Sequence, residues 1–388
     1  MISSQAFGGN DHRIILEWGG FDTTIPDTYC SLCGEYYKTV QKGWKLPQQI
    51  AVDDERNIYV VDTGNSRIQK FTYDGEFLSS WGTNGIENGE LLSPVGIAIY
   101  ENNVYVVDEE LDTVQKFDNN GNFILKWGGL GAEDGQFNKP KGITIDSNGI
   151  VYVADSDNHR IQQFTSDGEF LSSFGKFGFQ HGKLKIPVDV AVYGDFIYVS
   201  DPGNEKIEKY TSDGTFLKTF DYRFAGHSPK PGGLTTDPDG NIYFVDAANY
   251  RIVKINSDGR TLSTFGDLGV GNGMFLEPKD LVLDNRGYLF VLDSSAALVQ
   301  KFETPVVMQI EATLVEEQFK KLQELAYAEA EAAEVAAADA EVADAEVAEV
   351  AEASTEPAVP DTTRPIISQP TDLVIEATGS LTSVELGE

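Results

Sequence analysis

Short apolar runs alternate with polar turns along roughly the first 300 positions of the chain. Most runs are four to six residues long, are rich in Val, Ile and aromatic residues, and are bounded by Gly, Asn and Asp. This pattern is typical of β-strands. It recurs every 44 to 47 residues, and each recurrence opens on a proline: Pro47, Pro94, Pro140, Pro187, Pro231 and Pro278. The spacing predicts an all-β protein built from repeats.

Each repeat contains four predicted strands. In the third repeat the first three are "PKGITID", "VYVAD" and "RIQQF", and a Gly turn then leads into a fourth that ends on Phe174. The second strand ends on aspartate in every repeat: Asp62, Asp108, Asp155, Asp201, Asp246 and Asp293. Four antiparallel strands repeated around an axis are the blades of a β-propeller, since one blade alone cannot bury both of its faces.

Six repeats supply the first three strands, but only five supply the fourth. After "LVQKF" at 298–302 the pattern stops. The missing strand is found at the other end of the chain, as "RIILEWG" at 13–19, where Trp18 takes the place of Trp81. We therefore predict a six-bladed propeller over residues 11–304 in which the N-terminal strand completes the last blade and removes its open edge.

The segment "NKPKGITIDSNGIVYVADSDNHRIQQF", residues 138–164, resembles the NHL repeat through its Pro-x-Gly, Tyr-Val-x-Asp and Asn-His-Arg elements. The resemblance extends over residues 11–303 and implies a propeller. Such propellers include RNA binders, scaffolds, extracellular sensors and metal-dependent lyases, so the family does not fix the function. In zinc-dependent relatives, histidines around the channel hold the metal. This chain has four histidines, and none is predicted to face the channel: His12, His159, His181 and His227.

Candidate ligand-binding residues lie where the repeats depart from Pro-x-Gly. The first strand of a propeller blade is innermost, so these side chains are predicted to surround the channel mouth. They are Lys141, Asp189, Lys279 and Asp280. The interpretations stay open: they hold a polar ligand or an ion, or they either pair with one another or are simply solvated. The six strand-two aspartates, in contrast, are predicted to be structural, accepting N–H groups of the following turn or pairing with basic residues. The basic residues are Arg67, Arg160, Lys206 and Arg251.

An insertion at 21–44 separates the closing strand from the first blade and carries the chain's two cysteines, Cys30 and Cys33. A disulfide, a partial metal site and free thiols are all open interpretations, because zinc requires more ligands than this pair supplies. Four aromatic residues of the insertion are predicted to project beside the channel mouth and contact a partner. They are Tyr29, Tyr36, Tyr37 and Trp44.

Three segments follow the predicted ring. Residues 305–353 are rich in Ala and Glu and predict a helical stalk. Residues 354–365 form a Pro-rich linker. The last stretch, "DTTRPIISQPTDLVIEATGSLTSVELGE" at 361–388, resembles the start of a HYR (hyalin repeat) domain through its Asp-x-x-x-Pro entry and its "ATG". Residues 366–388 are an incomplete HYR-like segment, too short for a sandwich, so we expect a disordered tail. The HYR resemblance implies an extracellular or cell-surface location within a larger modular protein.

Charge narrows the choice of partner. The net charge is −33, with 43 acids against 26 bases in residues 1–305 and 19 against 3 in 306–388. This balance argues against nucleic acid, which requires clustered Lys and Arg. The sequence contains no apolar run of 18 residues, so no membrane span is predicted.

These observations favour a non-catalytic, monomeric interaction module that needs no cofactor and binds protein or glycan through the loops around the channel mouth. The alternative is a metal-dependent lyase or hydrolase that uses Ca²⁺ or Zn²⁺ at the channel mouth. An intracellular scaffold or sensor is a third possibility, favoured if Cys30 and Cys33 are reduced.

Overall fold

The computed structural model describes residues 13–19, 43–221, 228–304 and the isolated positions 320, 321 and 325. The chain divides into two compact units, Met1–Val315 and Glu316–Glu388. In the second unit only Lys320, Lys321 and Leu325 are described, all three helical. Apart from these positions, the predicted stalk, linker and HYR-like tail lie outside the described residues.

Six four-stranded antiparallel sheets make up the described part of the first unit, as the repeat predicted. Blade 1 contains β2 (Ile50–Val52), β3 (Ile58–Asp62), β4 (Arg67–Phe71) and β5 (Phe77–Trp81). Blade 2 contains β6 (Pro94–Tyr100), β7 (Asn103–Asp108), β8 (Thr113–Asp118) and β9 (Phe123–Gly128). Blade 3 contains β10 (Pro140–Ile145), β11 (Val151–Asp155), β12 (Arg160–Phe164) and β13 (Phe170–Phe174).

The second half of the ring repeats this order. Blade 4 contains β14 (Asp189–Tyr193), β15 (Phe196–Asp201), β16 (Lys206–Thr211) and β17 (Phe216–Asp221). Blade 5 contains β18 (Pro231–Thr236), β19 (Ile242–Asp246), β20 (Arg251–Ile255) and β21 (Thr261–Phe265). The linker to blade 6 holds the short pair β22 (Asp267–Leu268) and β23 (Met274–Phe275). Blade 6 contains β24 (Pro278–Leu283), β25 (Leu289–Asp293), β26 (Leu298–Glu303) and β1 (Arg13–Gly19).

Ring closure takes place in blade 6, where the sheet order is β1-β26-β25-β24. Strand β1 runs antiparallel to β26, with Trp18 opposite Val299. The Trp18 ring is almost fully buried and meets Phe290 edge-on at 5.8 Å between ring centroids. The six blades and their closure by the N-terminal strand are therefore confirmed.

The hydrophobic core lies between neighbouring blades rather than at one centre. Between blades 1 and 2, for example, Tyr59 and Val61 pack against Ile97 and Val106, and all four side chains are buried. Five further clusters of the same kind are present in the described part of the ring. Each fully buried side chain of this size contributes about 1.5–3 kcal/mol, so packing between blades holds the ring together.

The strand register places two kinds of connection on one face of the ring. In blade 3, Pro140 at the start of the first strand is opposite Asp155, which ends the second and is opposite Arg160. Phe174, which ends the fourth strand, pairs with Ile161 near the same end. The first strands of neighbouring blades contact one another and line the channel. We call this end the loop face. It carries the channel mouth, the turns after the second strands and the described linkers between blades (82–93, 128–139, 175–186 and 266–277).

Candidate functional site: the loop face and the channel mouth

The strand-two aspartates are structural, and Asp155 shows how. Its buried carboxylate accepts a hydrogen bond from the backbone N–H of Asn138 at 2.8 Å. It also accepts from Nε of Arg160 at 2.7 Å and Nε2 of Gln162 at 3.0 Å. Nδ2 of Asn158 is a fourth donor, at 2.9 Å, and these four hydrogen bonds offset the desolvation of the carboxylate. The backbone donor, Asn138, lies in the linker before blade 3. The aspartate therefore holds this linker against the blade, in addition to the turn after the second strand that the sequence predicted.

The predicted basic partners divide into two kinds. Arg67 and Arg251 pair with the strand-two aspartates of their blades in the same way as Arg160. Lys206 does not: its ammonium pairs with the buried Glu208 and donates to the carbonyl oxygen of Gln180 at 2.9 Å. The prediction for Lys206 was therefore wrong, because its ammonium pairs with the carboxylate of Glu208 on the same strand, β16, and not with Asp201.

A cavity of about 740 Å³ lies at the channel mouth, and residues of all six blades line it. All four predicted ligand-binding residues are among them: Lys141, Asp189, Lys279 and Asp280. The structure thus brings together side chains that are up to 139 positions apart in sequence. The volume falls within the roughly 300–1,000 Å³ typical of small-molecule sites.

The two lysines of the mouth pair with glutamates that the sequence analysis did not identify. Nζ of Lys141 lies 2.8 Å from Oε2 of Glu109, and Nζ of Lys279 lies 2.8 Å from Oε1 of Glu277. Burial opposes ionisation of Glu277, but the hydrogen bonds from Lys279 and Ser295 outweigh it and lower the pKa of the carboxyl. Of the interpretations left open, pairing between the two lysines and the two aspartates is not what these ion pairs show, because both lysines pair with glutamates.

The aspartates instead connect neighbouring blades. Oδ2 of Asp189 accepts from the backbone N–H of Leu234 at 2.8 Å, and Oδ2 of Asp280 accepts from that of Ile50 at 2.9 Å. Nε2 of Gln49 donates to Oδ1 of Asp189 at 3.2 Å, across the channel. Each carboxylate thus reaches from the first strand of one blade into the next blade.

Glycines on the neighbouring first strands leave the room that these carboxylates need. A Cβ added to Gly142 would lie 2.1 Å from Oδ1 of Asp189, and one added to Gly233 would lie 2.0 Å from Oδ1 of Asp280. The third residue of the repeat is a glycine in blades 2, 3 and 5 and a polar residue in blades 1, 4 and 6. The aspartates of blades 4 and 6 fill the space beside a glycine. That alternation is visible in the sequence, but its meaning depends on which blades are neighbours.

Burial perturbs both carboxyl groups. Desolvation raises the pKa of Asp189 to about 7, against the opposing hydrogen bonds from Leu234, Val190 and Gln49. Desolvation also raises the pKa of Asp280 well above its ordinary value, and the charge of Asp189 raises it further. Perturbed carboxyl groups in a cleft are candidates for function.

Metal-binding groups were sought throughout the described part of the chain. No group of three or more His, Cys, Asp and Glu side chains is placed to hold a metal ion there. Nδ1 of His159 lies 2.6 Å from the carbonyl oxygen of Lys185, and Nδ1 of His181 lies 2.7 Å from Oγ1 of Thr219. Both histidines lie away from the channel, as predicted, whereas His12 and His227 lie outside the described residues.

The loop face exposes large apolar side chains that the sequence analysis did not identify. Each is between 57% and 72% exposed, and they occupy the third and fifth positions after the aromatic residue that ends a blade. They are Ile86, Leu130, Phe177, Phe179, Leu268 and Val270. The sequence signal is weak, since the same linkers also contain apolar residues that are fully buried between blades, such as Leu91 and Phe137.

The prediction that Trp44 of the insertion contacts a partner was wrong. Trp44 is only 4% exposed and packs edge-on against Phe71, with ring centroids 5.5 Å apart. It therefore belongs to the core between blades 6 and 1 rather than to a contact surface. The tyrosines and cysteines of the insertion lie outside the described residues: Tyr29, Tyr36, Tyr37, Cys30 and Cys33.

Comparisons with known proteins agree with this architecture. The NHL repeat family matches residues 45–71 and 137–164, so the chain contains NHL repeats within a six-bladed propeller. No protein of curated function matches the sequence significantly.

Solved structures share the fold at low sequence identity. A streptogramin B lyase superposes with a TM-score of 0.52 at 17% identity, covering 70% of this chain and 84% of the lyase. A protein of unknown function from Bacteroides thetaiotaomicron gives 0.54 at 20%, covering 69% and 71%. A gluconolactonase from Xanthomonas campestris gives 0.52 at 14%, covering 75% and 98%. At these identities the likeness shows the fold alone. Among the described residues, no helix is long and apolar enough to cross a membrane.

Proposed function

We propose that this protein is a non-catalytic binding module that holds a partner protein on its loop face. The observation that carries the proposal is the set of exposed apolar side chains at equivalent positions of four interblade linkers. Isolated apolar residues are ordinary on protein surfaces, but recurrence on one face is typical of contact surfaces. The extracellular location, the modular context and a glycan partner stay predictions.

The backbone of these linkers supports a role in binding. In the linker of Leu130, the N–H of Gly131 donates to the carbonyl oxygen of Phe137 at 2.9 Å, and that of Phe137 donates to Gly129 at 2.9 Å. Phe137 itself is fully buried. The exposed side chain is therefore presented by a backbone that is already ordered, which reduces the entropy lost on binding.

Site-specific photo-crosslinking tests the proposal in cells that make the protein. A photoreactive residue is placed at Leu130 or Leu268 on the loop face. The controls are Leu217 and Leu262 on the outermost strands, which are the same residue type and are each 45% exposed. We expect discrete adducts with one or a few proteins from the loop-face positions only. Equal crosslinking from both sets, or none from the loop face, would refute the proposal.

A second candidate function is suggested by the channel mouth. The cavity volume and the raised pKa values of Asp189 and Asp280 also fit a small-molecule site, including the metal-dependent lyase or hydrolase considered above. The two aspartates alone provide too few ligands for a metal centre, so a ligand or water would have to complete the coordination.

Metal binding distinguishes the two candidates. Isothermal titration of Ca²⁺ and of Zn²⁺ into the purified protein, and into Asp189→Asn and Asp280→Asn variants, measures the stoichiometry directly. One ion per chain in the parent protein, lost in both variants, would support the channel-mouth function. Absence of stoichiometric binding would leave the loop-face proposal as the favoured function.

A further inference from the structure

The linker between blades 3 and 4, residues 175–186, differs in charge from the other described linkers. It contains Lys176, Lys183 and Lys185 and no acid. The other three contain two acids each, and only one of them also contains a lysine: 82–93, 128–139 and 266–277. Within a strongly acidic ring, this linker is a local basic segment.

Its exposed apolar residues also differ, because they are aromatic. Phe177 and Phe179 contact each other edge-on, with ring centroids 5.6 Å apart. The imidazole of His159 packs on Phe177 at 4.8 Å, and Nζ of Lys185 lies 5.4 Å from the centre of the Phe179 ring. The equivalent positions of the linker 266–277 hold the aliphatic Leu268 and Val270 instead.

The three lysines are available to a ligand. None of the ion pairs among residues 43–221 and 228–304 involves Lys176, Lys183 or Lys185. Other exposed lysines of the loop face, such as Lys139, have a glutamate partner. A carboxylate from outside would therefore not have to displace an internal one.

The linker backbone is held in place beneath these side chains. The carbonyl oxygen of Lys185 accepts from the Nδ1–H of His159 at 2.6 Å, since a carbonyl can only accept. The backbone N–H of Lys185 donates to the buried Asp201 at 2.8 Å, and Nδ2 of Asn204 donates to the carbonyl oxygen of Gly178 at 2.9 Å. The aromatic and basic side chains are thus displayed from a preorganised loop.

We propose that this basic–aromatic patch (Lys176, Phe177, Phe179, Lys183 and Lys185) binds an acidic segment of a partner protein, in which carboxylates flank a bulky apolar residue. The inference rests on the proposed function, because it names the partner chemistry for one part of the loop face. Carboxylates pair with the lysines, and the apolar residue covers the two phenylalanines.

The surroundings of the patch favour a short peptide over nucleic acid. Acids lie in the preceding interblade linker, at Glu133 and Asp134, and in the turns after the second strands of blades 3 and 4, at Asp157 and Glu205. A continuous phosphate backbone extending beyond the patch would meet these carboxylates. At physiological salt, repulsion between a bound peptide and carboxylates more than about 8 Å away from it is largely screened. A peptide confined to the patch is therefore not repelled by the rest of the acidic ring.

Fluorescence anisotropy tests the inference with a labelled ten-residue peptide that contains six carboxylates around two leucines and a tryptophan. Comparison peptides replace the acids with lysines or the apolar residues with serines, and a labelled single-stranded oligonucleotide of the same length tests the nucleic-acid outcome. We expect binding of the first peptide at least about tenfold tighter than of either comparison peptide. Equal binding of the lysine peptide, or preferential binding of the oligonucleotide, would overturn the inference.

Variants locate the site. We expect Phe177→Ser with Phe179→Ser to weaken peptide binding about tenfold, because both anchor contacts are lost. The matched control, Leu217→Ser with Leu262→Ser, changes two exposed leucines of the outermost strands, outside the loop face, and should leave peptide binding unchanged. Equal weakening by both pairs would overturn the assignment to this patch.

A charge variant, Lys176→Gln with Lys185→Gln, should also weaken binding of the acidic peptide while leaving the melting temperature within about 2 °C, as expected for an exposed and a half-buried side chain outside the core. Unchanged affinity in this variant would overturn the role of the lysines. The crosslinking at Leu130 and Leu268 lies outside the patch, so partner capture there combined with no peptide binding would reject this inference alone.

Discussion

Replacing Trp18 with alanine should open the ring at its closure. The Trp18 side chain is 7% exposed and packs against Phe290 and Val299 of blade 6. Truncation of a buried tryptophan costs about 3–5 kcal/mol, of which the edge-on contact with Phe290 accounts for roughly 0.5–1.5 kcal/mol. Unlike the other fourth strands, β1 is not joined to β26 by a hairpin, so the loss should act on the whole strand pairing.

Urea unfolding and hydrogen exchange measure this effect together. A loss of about 4 kcal/mol in free energy of unfolding corresponds to a roughly 1000-fold larger population of open states. Faster hydrogen exchange should appear at the amides of β26 that bond to β1. Trp81→Ala serves as the control, since β5 is held in a hairpin of its own blade and β26 should stay protected. A cost below about 1 kcal/mol for Trp18→Ala, with β26 still protected, would refute the closure.

Three further predictions concern the channel mouth and the blade ends. Because the folded pKa of Asp189 is about 7 against an ordinary 3.8, folding favours its protonated form. The free energy of unfolding should therefore fall by up to roughly 4 kcal/mol as pH rises from 4 to 8. In urea titrations Asp189→Asn should flatten this pH dependence, except for the contribution of Asp280. Gly142→Ala, whose Cβ would lie 2.1 Å from Asp189, should lower the melting temperature far more than Gly232→Ala, whose nearest contact is 3.2 Å; equal effects would contradict the close packing. Asp155→Ala should cost about 3–5 kcal/mol by leaving buried donors unpaired, and a loss below 1 kcal/mol by urea unfolding would contradict its structural role.

The architecture could be predicted because it is written into periodic features. Six prolines at near-constant spacing, a buried strand that ends on aspartate and the displaced "RIILEWG" segment were enough to give the blade number and the closure. In a propeller each repeat contacts only its neighbours, so local pattern and global fold agree.

The site was less accessible from sequence, because its side chains act through non-local partners. The position of Asp189 in the first strand predicted its place at the mouth, but not that it hydrogen-bonds Leu234 of the next blade. Trp44 was misjudged since an aromatic residue in an insertion resembles an exposed contact residue, whereas its ring is buried against Phe71. Exposed Leu130 and buried Phe137 lie in one linker, and only the fold separates them.

Hydrogen exchange of the partner complex tests the central claim, a binding module that uses its loop face, most directly. The partner captured by crosslinking is added to the unmodified protein, and exchange is compared with and without it. We predict slower exchange in the linkers 82–93, 128–139, 175–186 and 266–277, with no change in the hairpins of the opposite face, such as 118–122 and 237–241. Protection of those hairpins, or no protection of the linkers, would contradict the account.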